Sequence, residues 1–316
     1  METTKILKTN RPYDALLSYL IANPDLRLAP AIAQMLPATN NMNIASRIEQ
    51  LSQLKSWLDS FRPLSPDVVR ELKQRYDVQF TYQSNAIEGN TLTQSETELL
   101  LSKGITVGGK TLVEHLEVIG HKEAIDYIET LSKAESSIGE WEIRQIHNLV
   151  IRKISPTEAG RYRQLDVKAA GTDHTYPPHY LLPGLMDEFV GWLESAKCSL
   201  HPVEYACEAH YRFVSVHPFS DGNGRTGRLL MNLLLLRSGF PIVSISNQQR
   251  EAYIEALVTA QRSQNDLTLL LTLVCDTARE ALIETLGVVA SAATSKDKGQ
   301  PFYQEMVDFF RKTTHT

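Results

Sequence analysis

Between two helix-forming runs the chain carries twelve residues, His217 to Arg228, that read HPFSDGNGRTGR. The run before them, VEYACEAHYRFVSV, must stop at Pro218, because proline has no N–H with which to continue the helical ladder. The run after them, RLLMNLLLL, is apolar on nearly every face, and such a helix is stable only when buried. The chain must therefore wrap a helical bundle around this segment. A polar, glycine-containing loop is then pinned at the entrance to the central helix, where a rigid site can be built.

The rest of the chain suits that plan. Sixteen glycines and fourteen prolines in 316 residues are fewer turn formers than average, which disfavours an all-β fold. A length of 316 residues with 42% hydrophobic content buries a core without disulfide or metal staples. Ile44, Ile48, Leu51, Leu54, Leu58 and Phe61 recur at helical spacing. Ser65-Pro66 opens a helix carrying Val68, Leu72, Tyr76 and Phe80 that stops at Gly89. Thr93 with Glu96, and Ser137 with Glu140, have the spacing of capping boxes. Helices are expected over 183–195, 201–216, 223–238, 248–262 and 266–289, with a short last one in FYQEMVDFF behind a linker at 291–300. Prolines 24, 30 and 37 limit residues 1–40 to short helices and loops. The stretch 161–178 instead alternates around Gly171-Thr172-Asp173, which predicts a β-hairpin. The expected class is all-α with one β-hairpin.

Several functions are disfavoured at this level. A net charge of -5 offers no general attraction to nucleic acid. No apolar run approaches the roughly 18 residues of a membrane span, and the first residues lack a signal-peptide core, so the cytoplasm is the expected compartment. Cys198, Cys207 and Cys275 form no C-x-x-C pair and read as buried, small apolar residues. His201 reads as a helix-start residue and His210 as a core histidine, not as metal ligands. GNGRTG satisfies the dinucleotide fingerprint G-x-G-x-x-G, but that fingerprint needs a preceding strand, and here a helix precedes it.

The loop itself points to polyanion chemistry. Gly222, Asn223 and Gly224 let backbone N–H groups converge where a helix begins, which makes an anion seat. Arg225 and Arg228 stand in the first turns of that helix, where the positive end of the dipole disfavours cations, and an arriving polyphosphate would relieve the conflict. Asp221 is a hard carboxylate of the kind that holds Mg²⁺ together with substrate phosphates. His217 is a side chain suited to taking a proton from a hydroxyl.

These twelve residues resemble, without departure, the signature of Fic-domain proteins, H-P-F-x-[DE]-G-N-G-R-x-x-R. The resemblance covers roughly residues 80–290. It implies a Fic fold and transfer of AMP from ATP to a Ser, Thr or Tyr hydroxyl of a protein, with release of pyrophosphate. It implies His217 as general base, Asp221 as the Mg²⁺ ligand, Asn223 with the Gly222 and Gly224 backbone as phosphate cradle, and Arg225 and Arg228 as triphosphate ligands. Gly224 favours AMP transfer over phosphorylation, since kinase-like relatives resemble this motif with lysine there.

Upstream, Ser84-Asn85-Ala86-Ile87-Glu88-Gly89 resembles the Fic inhibitory motif [ST]-x-x-x-E-[GN]. Ser84 and Glu88 share a helix face, and Glu88 sits at the negative helix end, where a carboxylate is disfavoured. Glu88 is expected to pair with Arg228 and take the arginine that would receive the γ-phosphate. This is the self-inhibited, class II arrangement, with the inhibitory helix (about 65–89) N-terminal to the core, and in some relatives the same glutamate serves removal of AMP. The hairpin matches the Fic flap that docks the target by strand addition, placing Val167, Lys168 and His174 beside the target hydroxyl. Tyr253 and Gln261 resemble the wall of the adenine and ribose site, although relatives often have asparagine where Gln261 stands.

The resulting organisation is an N-terminal helical region at 1–80, a Fic core at 81–290, and a linker with a C-terminal helix at 291–316. The expected function is a Mg-ATP-dependent protein adenylyltransferase that also modifies itself, with a homodimer open to the flanking regions. The competing reading is a nucleotide-sensing regulatory or interaction protein that mainly modifies itself.

Overall fold

The computed structural model describes residues 12–22, 27–168, 175–263, 265–292 and 298–313. Among them are thirteen α-helices: α1 (Pro12–Ala22), α2 (Leu28–Met35), α3 (Ile44–Asp59), α4 (Pro66–Ile87), α5 (Gln94–Lys103), α6 (Leu112–Ser132), α7 (Glu140–Ile151), α8 (Leu182–Ala196), α9 (Pro202–Val216), α10 (Asn223–Arg237), α11 (Arg250–Arg262), α12 (Thr268–Ala292) and α13 (Gln300–Thr313). The chain divides into two compact units, residues 74–277 and residues 1–73 with 278–316.

The larger unit is organised around α10. Leu229, Leu230, Met231, Leu233 and Leu235 of that helix are fully buried, as its all-round apolar sequence requires. Helices α9, α6 and α7 pack against it, and α8 packs outside α9. Gly120 lets α6 and α7 approach closely, for a Cβ there would lie 2.8 Å from the Leu149 carbonyl oxygen. One polar side chain interrupts the apolar helix. Asn232 accepts from the Val243 N–H at 2.7 Å and donates to the Val243 carbonyl at 3.0 Å, fixing the chain that leaves α10.

The smaller unit has a separate core. Leu51, Leu54, Leu58 and Phe61, at the spacing that predicts α3, are buried, as are Trp57 and, on α13, Phe302, Tyr303 and Met306. Trp57 and Phe61 meet Phe302 edge to face at 5.8 and 5.6 Å. Helix α13 also packs on α1 and α2, so the C-terminal helix finds its partners within this chain.

Two local expectations need correction. The box at Ser137 and Glu140 does not form; Gly139 caps α7, and the Glu142 carboxylate accepts the Gly139 N–H at 2.8 Å. The cap lies two residues further on, where the extended Gly139 backbone leads the chain into the helix. Conversely, Thr111 and Glu114 form a complete capping box at the start of α6. Cys198 is exposed, whereas Cys207 and Cys275 are buried. Of the hairpin, the described residues contain one antiparallel bridge, Lys168 with Thr175, and residues 169–174 lie outside them.

Replacing Asn232 by leucine would keep the volume but leave both Val243 backbone groups buried and unpaired. At roughly 1–3 kcal/mol per unsatisfied group, urea denaturation of Asn232→Leu is expected to show a loss of about 2 kcal/mol or more.

Candidate active site

Helix α9 ends because His217 turns left-handed, with φ 51° and ψ 58°, and Pro218 follows. A non-glycine residue in this conformation costs about 1–2 kcal/mol, so the surroundings must hold it. The His217 N–H donates to the Phe213 carbonyl at 3.1 Å, and its ring stacks on Tyr176 at 3.9 Å between centroids. Phe219 then plunges into the core and stacks on His147, centroids 3.6 Å apart and planes 2° from parallel.

His147 holds the loop from below. Its Nδ1 accepts the Gly160 N–H at 3.0 Å, which leaves Nε2 to donate to the Asp221 carbonyl at 3.0 Å. Burial lowers the His147 pKa to about 4 despite that carbonyl, so the ring is neutral at physiological pH. Gly222 follows at φ 75°, where a Cβ would lie 2.9 Å from the Ile151 methyl. Asn223 is buried, and its amide is spent inside the loop, accepting the Phe219 N–H at 3.0 Å and donating to the Phe219 carbonyl at 2.8 Å. Its side chain thus shapes the cradle, and the backbone N–H groups at the start of α10 are what remain for an anion.

The two arginines part company. Arg225 is buried and bonds Glu117 of α6 at 2.9 Å and Asp221 at 3.3 Å. Arg228 turns into a cavity of about 290 Å³, whose wall also includes His217, Gly224, Lys168, Tyr176, Arg250, Tyr253 and Gln261. The Asp221 carboxylate accepts the Gly222 N–H at 2.6 Å and is otherwise largely exposed.

Arg228 is 1% exposed and is bonded along the end of α4. Its Nε donates to Ser84 Oγ at 3.0 Å, and Nη2 donates to the Ser84 carbonyl at 2.8 Å and to Glu88 Oε1 at 2.7 Å. Glu88 keeps 37% of its side chain open, but that surface faces the cavity and protein atoms still crowd the carboxylate. Burial works to raise its pKa, and the charge and hydrogen bonding of Arg228, followed by Arg225 and Arg250, outweigh it and hold the pKa below its ordinary value. The pair is therefore complete at neutral pH and opens only as pH falls below the ordinary carboxylate range of about 4. Gly224 makes room for it, because a Cβ there would run into Glu88 Oε1. Arg250 of α11 donates to the Ile87 carbonyl at 2.7 Å, and Gln83 accepts the Asn247 N–H at 2.7 Å, so the segment that opens α11 holds the end of α4 at two points.

Behind Arg228, Tyr253 is 1% exposed with its hydroxyl 2.7 Å from His210 Nε2. Burial, then the charge of Arg228, push the His210 pKa down to about 3. Val167 is half-buried next to the bridge, Lys168 reaches the cavity, and His174 lies outside the described residues. The sequence reading missed Arg163, Tyr176, His147 and Glu117. Only tertiary contact marks them, since none stands at a spacing that announces a site.

Residues 137–235 match the model of the Fic/DOC family. The chain is 40% identical over 241 residues to the protein adenylyltransferase Fic of Nematostella vectensis, covering 75% of this chain and 56% of that one. It is 41% identical over 216 residues to the protein of the same name from Aedes aegypti, covering 68% and 43%. The chain thus spans about half the length of these curated relatives. Among solved structures, Fic-1 (residues 134–508) of C. elegans superposes with a TM-score of 0.71 at 30% identity, over 89% of this chain and 78% of that one. A Fic domain containing signaling protein from Bacteroides thetaiotaomicron gives 0.69 at 29% identity, over 78% and 98%. The chain belongs to the Fic family, and its helical fold is the Fic fold.

Protonation of the buried His147 and His210 imidazoles favours the unfolded chain. Their folded pKa values lie below the ordinary value of about 6.5, so stability is complete above that pH and falls toward pH 4, by up to about 1.4 kcal/mol per pH unit and group. Urea midpoints measured between about pH 7 and pH 5 should fall less steeply for His147→Gln than for wild type.

Proposed function

We propose that this chain is a protein adenylyltransferase that transfers AMP from ATP to a Ser, Thr or Tyr hydroxyl of a protein, its own chain included, and that Glu88 holds it in check. The observation that carries the proposal is one cavity whose wall includes His217, Gly224, Arg228 and Tyr253, with Glu88 bonded to Arg228. The core of this activity is assigned to residues 81–290, with 1–80 and 291–316 flanking it.

ATP enters with adenine toward Tyr253 and Gln261 and its phosphates toward the start of α10, where backbone N–H groups and the helix dipole favour negative charge. The target hydroxyl oxygen attacks the α-phosphorus and pyrophosphate departs. His217 takes the hydroxyl proton. Transfer of this kind asks the protein for positioning and charge neutralisation more than for covalent chemistry. A single exposed carboxylate beside the phosphate seat fits the way Mg²⁺ is held, by one or two carboxylates with substrate phosphates. Asp221 would hold that ion, which would neutralise charge on the leaving pyrophosphate.

While Glu88 engages Arg228, that arginine is withheld from the γ-phosphate, and nucleotide rests in an unproductive pose. The same carboxylate lines the cavity wall, which supports a second role in directing water at an AMP-modified residue, so deAMPylation is part of the proposal. The competing reading, a nucleotide-sensing regulatory or interaction protein that mainly modifies itself, draws on the same closed pair.

Incubation with [α-³²P]ATP and Mg²⁺ separates them. Glu88→Gly is expected to gain label on its own chain and on proteins of a lysate. Glu88→Gly with His217→Ala, or chelation of Mg²⁺, is expected to abolish the label. Folded variants that bind ATP and take up none would leave the sensor reading standing.

A further inference from the structure

Arg163 lies in the segment between α7 and α8, is 2% exposed, and does not line the cavity. Its guanidinium bonds three main-chain carbonyls in three directions. Nε donates to His217 at 3.0 Å, Nη1 to Leu165 at 2.9 Å, and Nη2 to Pro177. Its own N–H donates to the Pro218 carbonyl at 3.0 Å. The one carboxylate near it, Asp166, stands 3.8 Å away, is 63% exposed, and accepts from the His179 N–H at 2.8 Å. A buried charge is expensive to keep, and its worth here must lie in what the fork holds together.

It holds together three parts of the site. The His217 carbonyl belongs to a residue in the left-handed conformation, and a donor on that carbonyl fixes the direction in which the imidazole leaves the chain. Leu165 precedes the Lys168–Thr175 bridge on one side, and Pro177 follows it on the other. Tyr176, whose ring stacks on His217, is the neighbour of Pro177. One side chain therefore sets the register between the base and both arms of the segment facing it. Only a planar five-donor group can do so; an ammonium lacks the fixed fork.

We propose that Arg163 is a positioning residue for the transfer, coupling the 165–177 segment to His217 so that a hydroxyl presented by that segment meets the imidazole. The proposal rests on the adenylyltransferase reading for its activity readout only.

Arg163→Met and Arg163→Lys are made in full-length Glu88→Gly protein. A misplacement of about 1 Å can cost on the order of 100-fold, so labelling of the chain's own hydroxyls at saturating ATP should fall by about that factor, with KM for ATP within about two-fold of the parent. In the same proteins, the His217 ring signal, assigned by its loss in His217→Ala, should lose the upfield shift that the Tyr176 ring imposes. The lysine variant keeps the buried charge and serves if the methionine variant does not fold. Parental labelling rates, or a His217 ring signal that keeps its upfield shift, overturn the proposal. So does a loss of ATP affinity and melting temperature that matches the loss of rate, which would make Arg163 a stability residue only. If the Glu88→Gly parent takes no label, the adenylyltransferase reading fails, and the ring signal still decides whether Arg163 positions His217.

Discussion

A guanidinium buried in the first turns of a helix, where the dipole is unfavourable to it, cannot stand without partners, and the site depends on how Arg228 acquires them. Ser84 supplies a hydroxyl and a carbonyl, and Glu88 supplies the opposing charge. Those partners come from the last turn of α4, whose negative end disfavours the carboxylate as much as the start of α10 disfavours the arginine. Each helix end is stabilised by the other. The ends are secured in turn by Arg250 on the Ile87 carbonyl and by the absence of a side chain at Gly224.

Arg225 answers the same electrostatic problem differently. It bonds Glu117 on a neighbouring helix and Asp221 within its own loop, and it does not contribute to the cavity wall. Two arginines three residues apart therefore divide their tasks, one bracing the loop against α6 and one facing the cavity. Glu117 also accepts from Asn90, two residues beyond Glu88, so α6 touches both the loop and the chain that follows Glu88.

Much of this was legible in the sequence, for identifiable reasons. The apolar run after Arg228 announced a central helix, and the stop before it followed from Pro218, although the left-handed turn at His217 did not. The partnership of Glu88 with Arg228 was readable because two charges at the wrong helix ends invite each other. What was not legible depends on distance in sequence. Arg163 and His217 are separated by more than fifty residues, and His147 and Asp221 by more than seventy. No spacing rule connects such pairs. Asn223 shows the opposite limit, since its place in the motif was plain while the use of its amide on Phe219 was not.

The left-handed turn at His217 also decides how the ring should be removed when a silent protein is wanted. Alanine deletes the imidazole and keeps a Cβ in a region that only glycine and, to a lesser degree, asparagine or aspartate occupy with ease. An alanine there takes away the ring and its stack on Tyr176 while leaving the backbone penalty in place, so chemistry and local order are lost together. Asparagine is better matched to that backbone and is the cleaner blank for isolating what the imidazole contributes.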